Sequence, residues 1–169
     1  MRNVNRFRLS VSLAAALLIG GCDGKDDGRQ AQTATEVRDG MNQIVAAFAG
    51  RDADMAVSFD GPDFVGMYHG TPNLSGQEAD LAITKQQVAD PAMKFSVSDV
   101  AVEAAKSGDL AVWRATYTYT FTDPATKQVK TELGNWVVMW KRGADGKMKE
   151  TWSTVADVPP AAPAAMLKP

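Results

Sequence analysis

Four long segments in the second half of the sequence most constrain what this chain can fold into. They are rich in Val, Thr, Tyr and Trp, and they span residues 94–105, 110–122, 128–141 and 147–157. Short stretches with Gly, Asp and Pro separate them, such as Lys106–Asp109 and Asp123–Thr126. Because β-branched and aromatic residues favour strands and such turns favour hairpins, this half of the chain predicts an antiparallel meander of four strands.

Side chains alternate between two faces along these segments. One face is largely aromatic, and we expect it to form a core and the wall of a ligand pocket beneath covering helices. Its aromatic members are Trp113, Tyr117, Tyr119, Trp136, Trp140 and Trp152. On the opposite face of the third segment, Val137 and Met139 form a second apolar patch, which predicts burial against a partner subunit in a homodimer.

The residues before the meander predict helices. Val37, Met41, Ile44 and Phe48 recur at helical spacing, and Gly50 follows them as a stop. A second short helix is expected after Asp52, then a short strand at residues 64–68, and a third helix over residues 76–89 with Ser75 and Glu78 as a capping box. Helices followed by a sheet indicate an α+β fold with the helices on one face of a curved sheet.

The N-terminus has the features of an export signal. Arg2, Arg6 and Arg8 precede the largely apolar stretch 9–20, which is too short to remain as a membrane-spanning helix. Residues 19–22, Ile-Gly-Gly-Cys, resemble the bacterial lipobox, and this resemblance implies that Cys22 carries a lipid after cleavage. A plain secretory signal with a free thiol is the alternative.

The sequence therefore divides into a lipoprotein signal peptide at residues 1–21, a flexible tether at 22–33, a folded domain at 34–158 and a Pro/Ala-rich tail at 159–169. The expected location is the bacterial cell envelope, with the domain lipid-anchored and facing the periplasm. Asp23 directly follows the cysteine and resembles the signal for retention at the inner membrane.

Composition excludes several classes of function. The 169 residues carry a net charge of -2 and a pI near 5.4, which argues against a nucleic-acid surface. One Cys and one His give neither an internal disulfide nor a cluster of soft metal ligands, so we expect no metal site and no cofactor.

The order of predicted elements carries a family likeness. The segments SGDLAVWRATYTYT and WVVMWKRGADGK, with the glycine-x-aromatic pair at Gly134 and Trp136, resemble the SnoaL-like branch of the nuclear transport factor 2-like superfamily. More narrowly, they resemble domain-of-unknown-function family 4440. The resemblance implies a cystatin-like cone with an apolar pocket, in a superfamily of isomerases, dehydratases and non-catalytic binding or dimerising modules. The ketosteroid-isomerase type carries an Asp base where this chain has Met67, which we expect to line the pocket.

Three residues are candidates for acid–base chemistry. Histidine is the residue type whose unperturbed pKa lies near neutrality, and His69 follows Tyr68, so the two are a candidate base and oxyanion donor. Glu150 shares a face with Met148 and Trp152 by alternation, which predicts a carboxyl group in an apolar pocket with a raised pKa. The alternatives are that His69 is a solvated turn residue, and that Glu150 points outward or pairs with Arg114.

Asp60 and Asp63 flank Gly61–Pro62 and are interpreted as turn and helix-end capping residues, with a catalytic role as the alternative. The leading expectation is a membrane-anchored lipoprotein whose cone domain binds a small, largely apolar molecule or acts as a non-catalytic accessory module. The alternatives are an isomerase or dehydratase for an enolisable apolar substrate, and a dimeric protein-interaction module.

Overall fold

The computed structural model describes residues 23–158, so the predicted signal peptide, Cys22 and the tail from residue 159 lie outside the described part. Its elements are α1 (Asp23–Ala49), α2 (Ala53–Ala56), β1 (Asp60–Met67), β2 (Leu74–Ser75), α3 (Gln77–Ala89), β3 (Lys94–Ala104), β4 (Leu110–Thr122), β5 (Val129–Arg142) and β6 (Met148–Asp157). The predicted α+β fold is confirmed. The four predicted strands of the meander correspond to β3–β6. Among residues 23–158, no helix combines the length and the apolar character needed to span a membrane.

The six strands form one sheet in the order β2-β1-β6-β5-β4-β3. Neighbouring strands are antiparallel except β1 and β6, which run parallel. The pairing register shifts within β3 between Ser98 and Ala101, and within β6 at Thr151. Such bulges bend a strand and increase its twist, so they help curve the sheet around the helices.

The hydrophobic core lies between α1 and the concave face of the sheet. Val37, Met41 and Ile44 of α1 form one buried cluster with residues of β4 and β5. Trp113 and Trp140 belong to this cluster and are 1% and 0% exposed. Trp113 and Trp140 therefore belong to the core, as predicted for the aromatic face, but they do not line the cavity as the predicted pocket wall does.

The segment predicted as a flexible tether is helical from Asp23 onward, and α1 therefore starts well before residue 34. Polar contacts hold its first half against the turn between β3 and β4. The Gln30 amide donates to the Ala104 carbonyl at 2.7 Å, and the buried Thr33 hydroxyl donates to the Gly108 carbonyl at 3.0 Å. Polar side chains make these contacts, so the spacing of apolar residues in this segment did not indicate them.

The start of α3 also differs from the expectation. Ser75 belongs to β2, where it pairs with Val65, and the helix N-cap is Gly76 without a side-chain hydrogen bond. The predicted Ser75–Glu78 capping box is therefore wrong. Asp52 does cap α2 as predicted, because its carboxylate accepts a hydrogen bond from the Met55 backbone N–H at 3.0 Å.

Candidate functional site

A cavity of about 570 Å³ lies next to the core, between the three helices and the concave face of the sheet. Aromatic side chains from α1 and from three strands form much of its wall. They are Phe48, Phe95, Tyr117, Tyr119, Phe121 and Trp136. A concave, mostly apolar space of this size with a few convergent polar groups is typical of a small-molecule site.

Gly134 makes room for one side of this wall. It pairs across the sheet with Tyr117, and a Cβ atom at Gly134 would overlap the Tyr117 ring. The ring therefore lies flat over the backbone of β5, and its hydroxyl donates to Glu132 Oε1 at 3.2 Å. This contact explains the glycine two residues before Trp136.

Three carboxyl groups from three different elements meet at the inner end of the cavity. They are Asp60 of β1, Asp80 of α3 and Glu150 of β6, and we refer to them as the carboxyl cluster. Their exposed fractions are 8%, 7% and 4%. Backbone pairing fixes the positions of two members, because Asp60 lies opposite Glu150 and the Glu150 N–H donates to the Phe59 carbonyl at 2.9 Å.

Burial dominates the electrostatics of the carboxyl cluster. Loss of hydration raises the pKa of Asp60 to about 8 and that of Asp80 to about 6, and it raises the pKa of Glu150 well above its ordinary value. Repulsion from neighbouring carboxylates raises the pKa of Asp60 and of Glu150 further, while Lys149 lowers that of Asp60. Asp60 therefore holds a proton near neutral pH, and carboxyl groups with raised pKa values are suited to acid–base work or to binding a hydrogen-bond donor.

Tyr68 joins the carboxyl cluster to the aromatic wall. The Trp136 Nε1–H donates to Ser153 Oγ at 2.7 Å, and the Tyr68 side chain lies close enough to Ser153 and Asp80 for both to affect its pKa. Burial, together with the nearby Asp80 charge, raises the pKa of Tyr68 well above 10.0. The tyrosine is therefore neutral at physiological pH and available as a hydrogen-bond donor.

His69 lies at the mouth of the cavity. Its Nδ1 is 3.2 Å from Asp157 Oδ1 and its Nε2 is 3.5 Å from Glu132 Oε2. The imidazole is 42% exposed. His69, Tyr68 and Glu150 all line this one cavity, as the acid–base hypothesis requires, but Tyr68 contacts the carboxyl cluster whereas His69 pairs with acids at the rim.

The sequence model of the SnoaL-like domain matches residues 37–143, which is well over half of the chain. The chain belongs to the SnoaL-like domain family. The resemblance of the strand sequences to the SnoaL-like branch is thereby confirmed. A search of curated proteins gave no match.

Solved structures of nuclear transport factor 2-like proteins share this fold. A Streptomyces avermitilis protein, proposed to be a dehydratase, is 18% identical with a TM-score of 0.63, covering 76% of this chain and 98% of its own. A ketosteroid isomerase-like protein from Erwinia carotovora atroseptica is 18% identical with a TM-score of 0.62, covering 76% of this chain and 98% of its own. A Novosphingobium aromaticivorans protein with a cystatin-like fold is 16% identical with a TM-score of 0.61, covering 82% of this chain and 90% of its own.

Two predicted pocket residues of this SnoaL-like domain lie on the outer face of the sheet instead. Thr151 is an extra residue in β6, so Trp152 pairs with Met139 on the convex side. Met67 pairs with Thr154 and is also outside the cavity. Strict alternation had placed Trp152 beside Glu150, and the bulge reverses the side-chain order after residue 150.

The structure also decides the alternatives for the acidic residues. Glu150 points inward, and Arg114 lies 3.9 Å from Glu103, so the proposed pairing of Glu150 with Arg114 is wrong. Asp60 is not a turn residue but the buried first residue of β1. Asp63 is exposed.

Sequence reasoning missed Asp80 and Ser153 altogether. Asp80, Thr84 and Val88 lie on one helical stripe at a spacing of four, and all three are buried. A carboxylate on a buried stripe was therefore detectable. Ser153 gave no comparable indication, because the bulge that turns it inward has no distinctive sequence.

Proposed function

We propose that this SnoaL-like domain binds a small, largely apolar molecule in its cone cavity. The observation that supports this is the cavity itself, which combines an aromatic wall with polar groups gathered at its inner end. A ligand whose apolar part packs against the rings, and whose one polar group reaches the carboxyl cluster, would match both regions of the cavity.

Binding of the neutral dye N-phenyl-1-naphthylamine to the full-length protein tests this proposal. We expect saturable binding that Ile83→Trp weakens at least 10-fold, because Ile83 lines the cavity and the larger side chain would fill it. Ala82→Trp is the matched control, since Ala82 is the exposed neighbour on the same helix. No saturable binding, or equal binding by both variants, would contradict the proposal.

Acid–base catalysis of the isomerase or dehydratase type is a second candidate, and the carboxyl cluster with Tyr68 is the observation that favours it. An ionised carboxylate of Asp60 or Glu150 would remove the proton next to a carbonyl group. The neutral Tyr68 hydroxyl would donate to the developing enolate oxygen, and the protonated carboxyl would return the proton at the conjugated carbon.

Conversion of 3-cyclohexen-1-one to its conjugated isomer 2-cyclohexen-1-one tests this candidate by ultraviolet absorbance. Asp60→Asn or Glu150→Gln should lower the rate by roughly 10²-fold or more. Asp63→Asn is the control, because Asp63 is exposed on the same strand as Asp60. A rate no higher than that in buffer would contradict the assignment for this class of substrate.

We further propose that a lipid on Cys22 anchors the domain on the periplasmic side of a bacterial envelope membrane, with Asp23 favouring the inner membrane. The lipobox-like residues 19–22 after the apolar stretch support this. Mass spectrometry of the mature N-terminus should find a lipid thioether on Cys22, and Cys22→Ser should release the protein from membranes. A mature chain beginning elsewhere, or an unmodified Cys22, would contradict the anchor.

The outer face supports a homodimer proposal. Val137 and Met139 lie there with Trp152, and all three side chains are only partly buried within one chain. Light scattering of the full-length protein should give a dimer that Met139→Asp dissociates, while Thr118→Asp at an exposed position has no such effect. A monomeric wild-type protein would contradict this proposal.

A further inference from the structure

The carboxyl and basic side chains that line the cavity are almost all acidic. Five acidic residues line it, namely Asp60, Asp80, Asp90, Glu132 and Glu150. No Lys or Arg is among its lining residues in the described part of the chain, and His69 at the mouth is the one lining group that can take a positive charge. A ligand with a negative charge would be repelled from this cavity, whereas a cation would be attracted.

Two oxygen atoms of the carboxyl cluster accept no hydrogen bond from any residue in the range 23–158. They are Asp60 Oδ2 and Glu150 Oε1, and both are buried in side chains that are more than nine-tenths covered. Lys149 is close enough to affect Asp60, but its ammonium group donates to the Ser58 carbonyl at 2.9 Å instead. Buried carboxyl oxygens without a donor are costly, so this end of the cavity is complementary to a donor from a ligand.

The arrangement favours an organic cation over a metal ion. Within residues 23–158, no group of three or more His, Cys, Asp or Glu side chains is arranged to hold a metal. Aromatic rings occupy the rest of the wall, with Phe95 stacked near Tyr117 at 6.1 Å between ring centres and Tyr119 near Phe121 at 5.0 Å. Such a wall suits an apolar or aromatic body rather than a hydrated ion.

We propose that the ligand of this cavity is a small organic amine, whose ammonium group binds Asp60 and Glu150 while its apolar body packs against the aromatic wall. The inference deepens the proposed binding function and rests on it. The apolar wall alone would also accept neutral molecules, whereas the carboxyl cluster favours an amine.

Calorimetric titration of the full-length protein with three matched compounds tests the inference. The probes are 2-phenylethylamine, 2-phenylethanol and 3-phenylpropanoate, which share one apolar body and differ in the charge of the polar end. We expect the amine to bind at least 10-fold more tightly than the alcohol, and the carboxylate to bind more weakly than the alcohol. Equal affinities for amine and alcohol would overturn the amine assignment but leave the binding function standing, whereas no binding of any probe would count against both.

Variants locate the preference in the carboxyl cluster. Glu150→Gln and Asp60→Asn should each reduce the ratio of amine to alcohol affinity at least 10-fold and leave the alcohol affinity nearly unchanged. Asp63→Asn removes the same charge from the exposed surface and should leave the ratio unchanged. A ratio that stays high in both cluster variants would overturn the assignment.

A proton-release measurement on the wild-type protein keeps the test decisive if a cluster variant fails to fold. Asp60 is mainly protonated at pH 7, because burial and Asp80 raise its pKa to about 8 against the opposing effect of Lys149. Pairing with an ammonium group ionises it, so amine binding should release a proton that alcohol binding does not. The binding enthalpy of the amine should therefore vary with the ionisation enthalpy of the buffer, and no such variation would contradict the pairing.

Discussion

Two groups of polar side chains, one around Arg142 and the other the carboxyl cluster, differ in how their hydrogen bonds are completed. The Arg142 guanidinium donates to the Gly108 and Gly146 carbonyls at 2.9 and 2.8 Å, and to Thr33 Oγ1 and Glu36 Oε2 at 2.8 Å each. In the carboxyl cluster, three acidic side chains lie near one another, and Asp60 Oδ2 and Glu150 Oε1 accept nothing from residues 23–158.

The difference indicates two roles. The Arg142 guanidinium donates four hydrogen bonds within the chain, and these hold the first half of α1 on the sheet without a group from outside. Carboxyl groups that are buried near one another without a counter-charge lower the stability of the folded chain, and such arrangements are concentrated at functional sites. The Arg142 cluster is accordingly structural, and the carboxyl cluster is the candidate site.

The largest expected effect is the pH dependence of stability. Asp60 has a pKa of about 8 in the folded chain against an ordinary value of 3.8, so the folded chain holds a proton that the unfolded chain has released. The free energy of unfolding should therefore fall as the pH rises from about 4 to about 8, by on the order of 5 kcal/mol. Urea denaturation across this range measures the slope.

Two variants assign that slope. Asp60→Asn should remove a large part of the decline, whereas Asp63→Asn on the exposed surface should leave it. A free energy of unfolding that stays constant or rises between pH 5 and pH 8 would show that burial does not destabilise the ionised form of the carboxyl cluster.

Arg142→Met should have the next largest effect, in the opposite region. It keeps the aliphatic stem and removes the hydrogen bonds to Thr33, Glu36 and two carbonyl groups, so we expect a loss of about 2–3 kcal/mol at pH 7. Denaturation gives the loss, and the affinity for N-phenyl-1-naphthylamine should stay within twofold. Arg114→Met is the matched control at an exposed arginine, and a loss equal to that control would remove the structural role.

The smallest effect is expected at an ion pair on the surface. Arg114 Nε lies 3.9 Å from Glu103 Oε1, with 59% and 80% of the two side chains exposed. Because water and salt screen such a pair, Glu103→Gln should change the free energy of unfolding by less than about 0.5 kcal/mol. A change as large as that of Arg142→Met would mean that the two kinds of arginine contact cannot be ranked by burial.

Much of the fold was predictable from the sequence because strands have a period of two and turns have distinctive residues. The aromatic face of β4, with Trp113 and Tyr117 inward, follows directly from alternation. The inward interpretation of Glu150, one of the alternatives that the sequence left open, agrees with the structure, since no bulge lies between Glu150 and Met148. The error begins one residue later, where Thr151 shifts the register and moves Trp152 to the outer face.

The rest of the site depended on contacts that are distant in sequence. Asp60 becomes a buried cavity residue only because β1 pairs in parallel with β6, a pairing that no local pattern encodes. The first half of α1 is held through Thr33 and Arg142, which are far apart in the chain. Contacts between polar groups so far apart in the chain produce no periodic sequence pattern, so local patterns did not reveal them.

A crystal structure of the protein with 2-phenylethylamine tests the central claim most directly. The account predicts that the ring lies against Trp136 and Tyr117 and that the nitrogen lies within about 2.7–3.2 Å of Asp60 Oδ2 or Glu150 Oε1. A nitrogen directed to the mouth beside His69, or a ring bound outside the cavity, would contradict it.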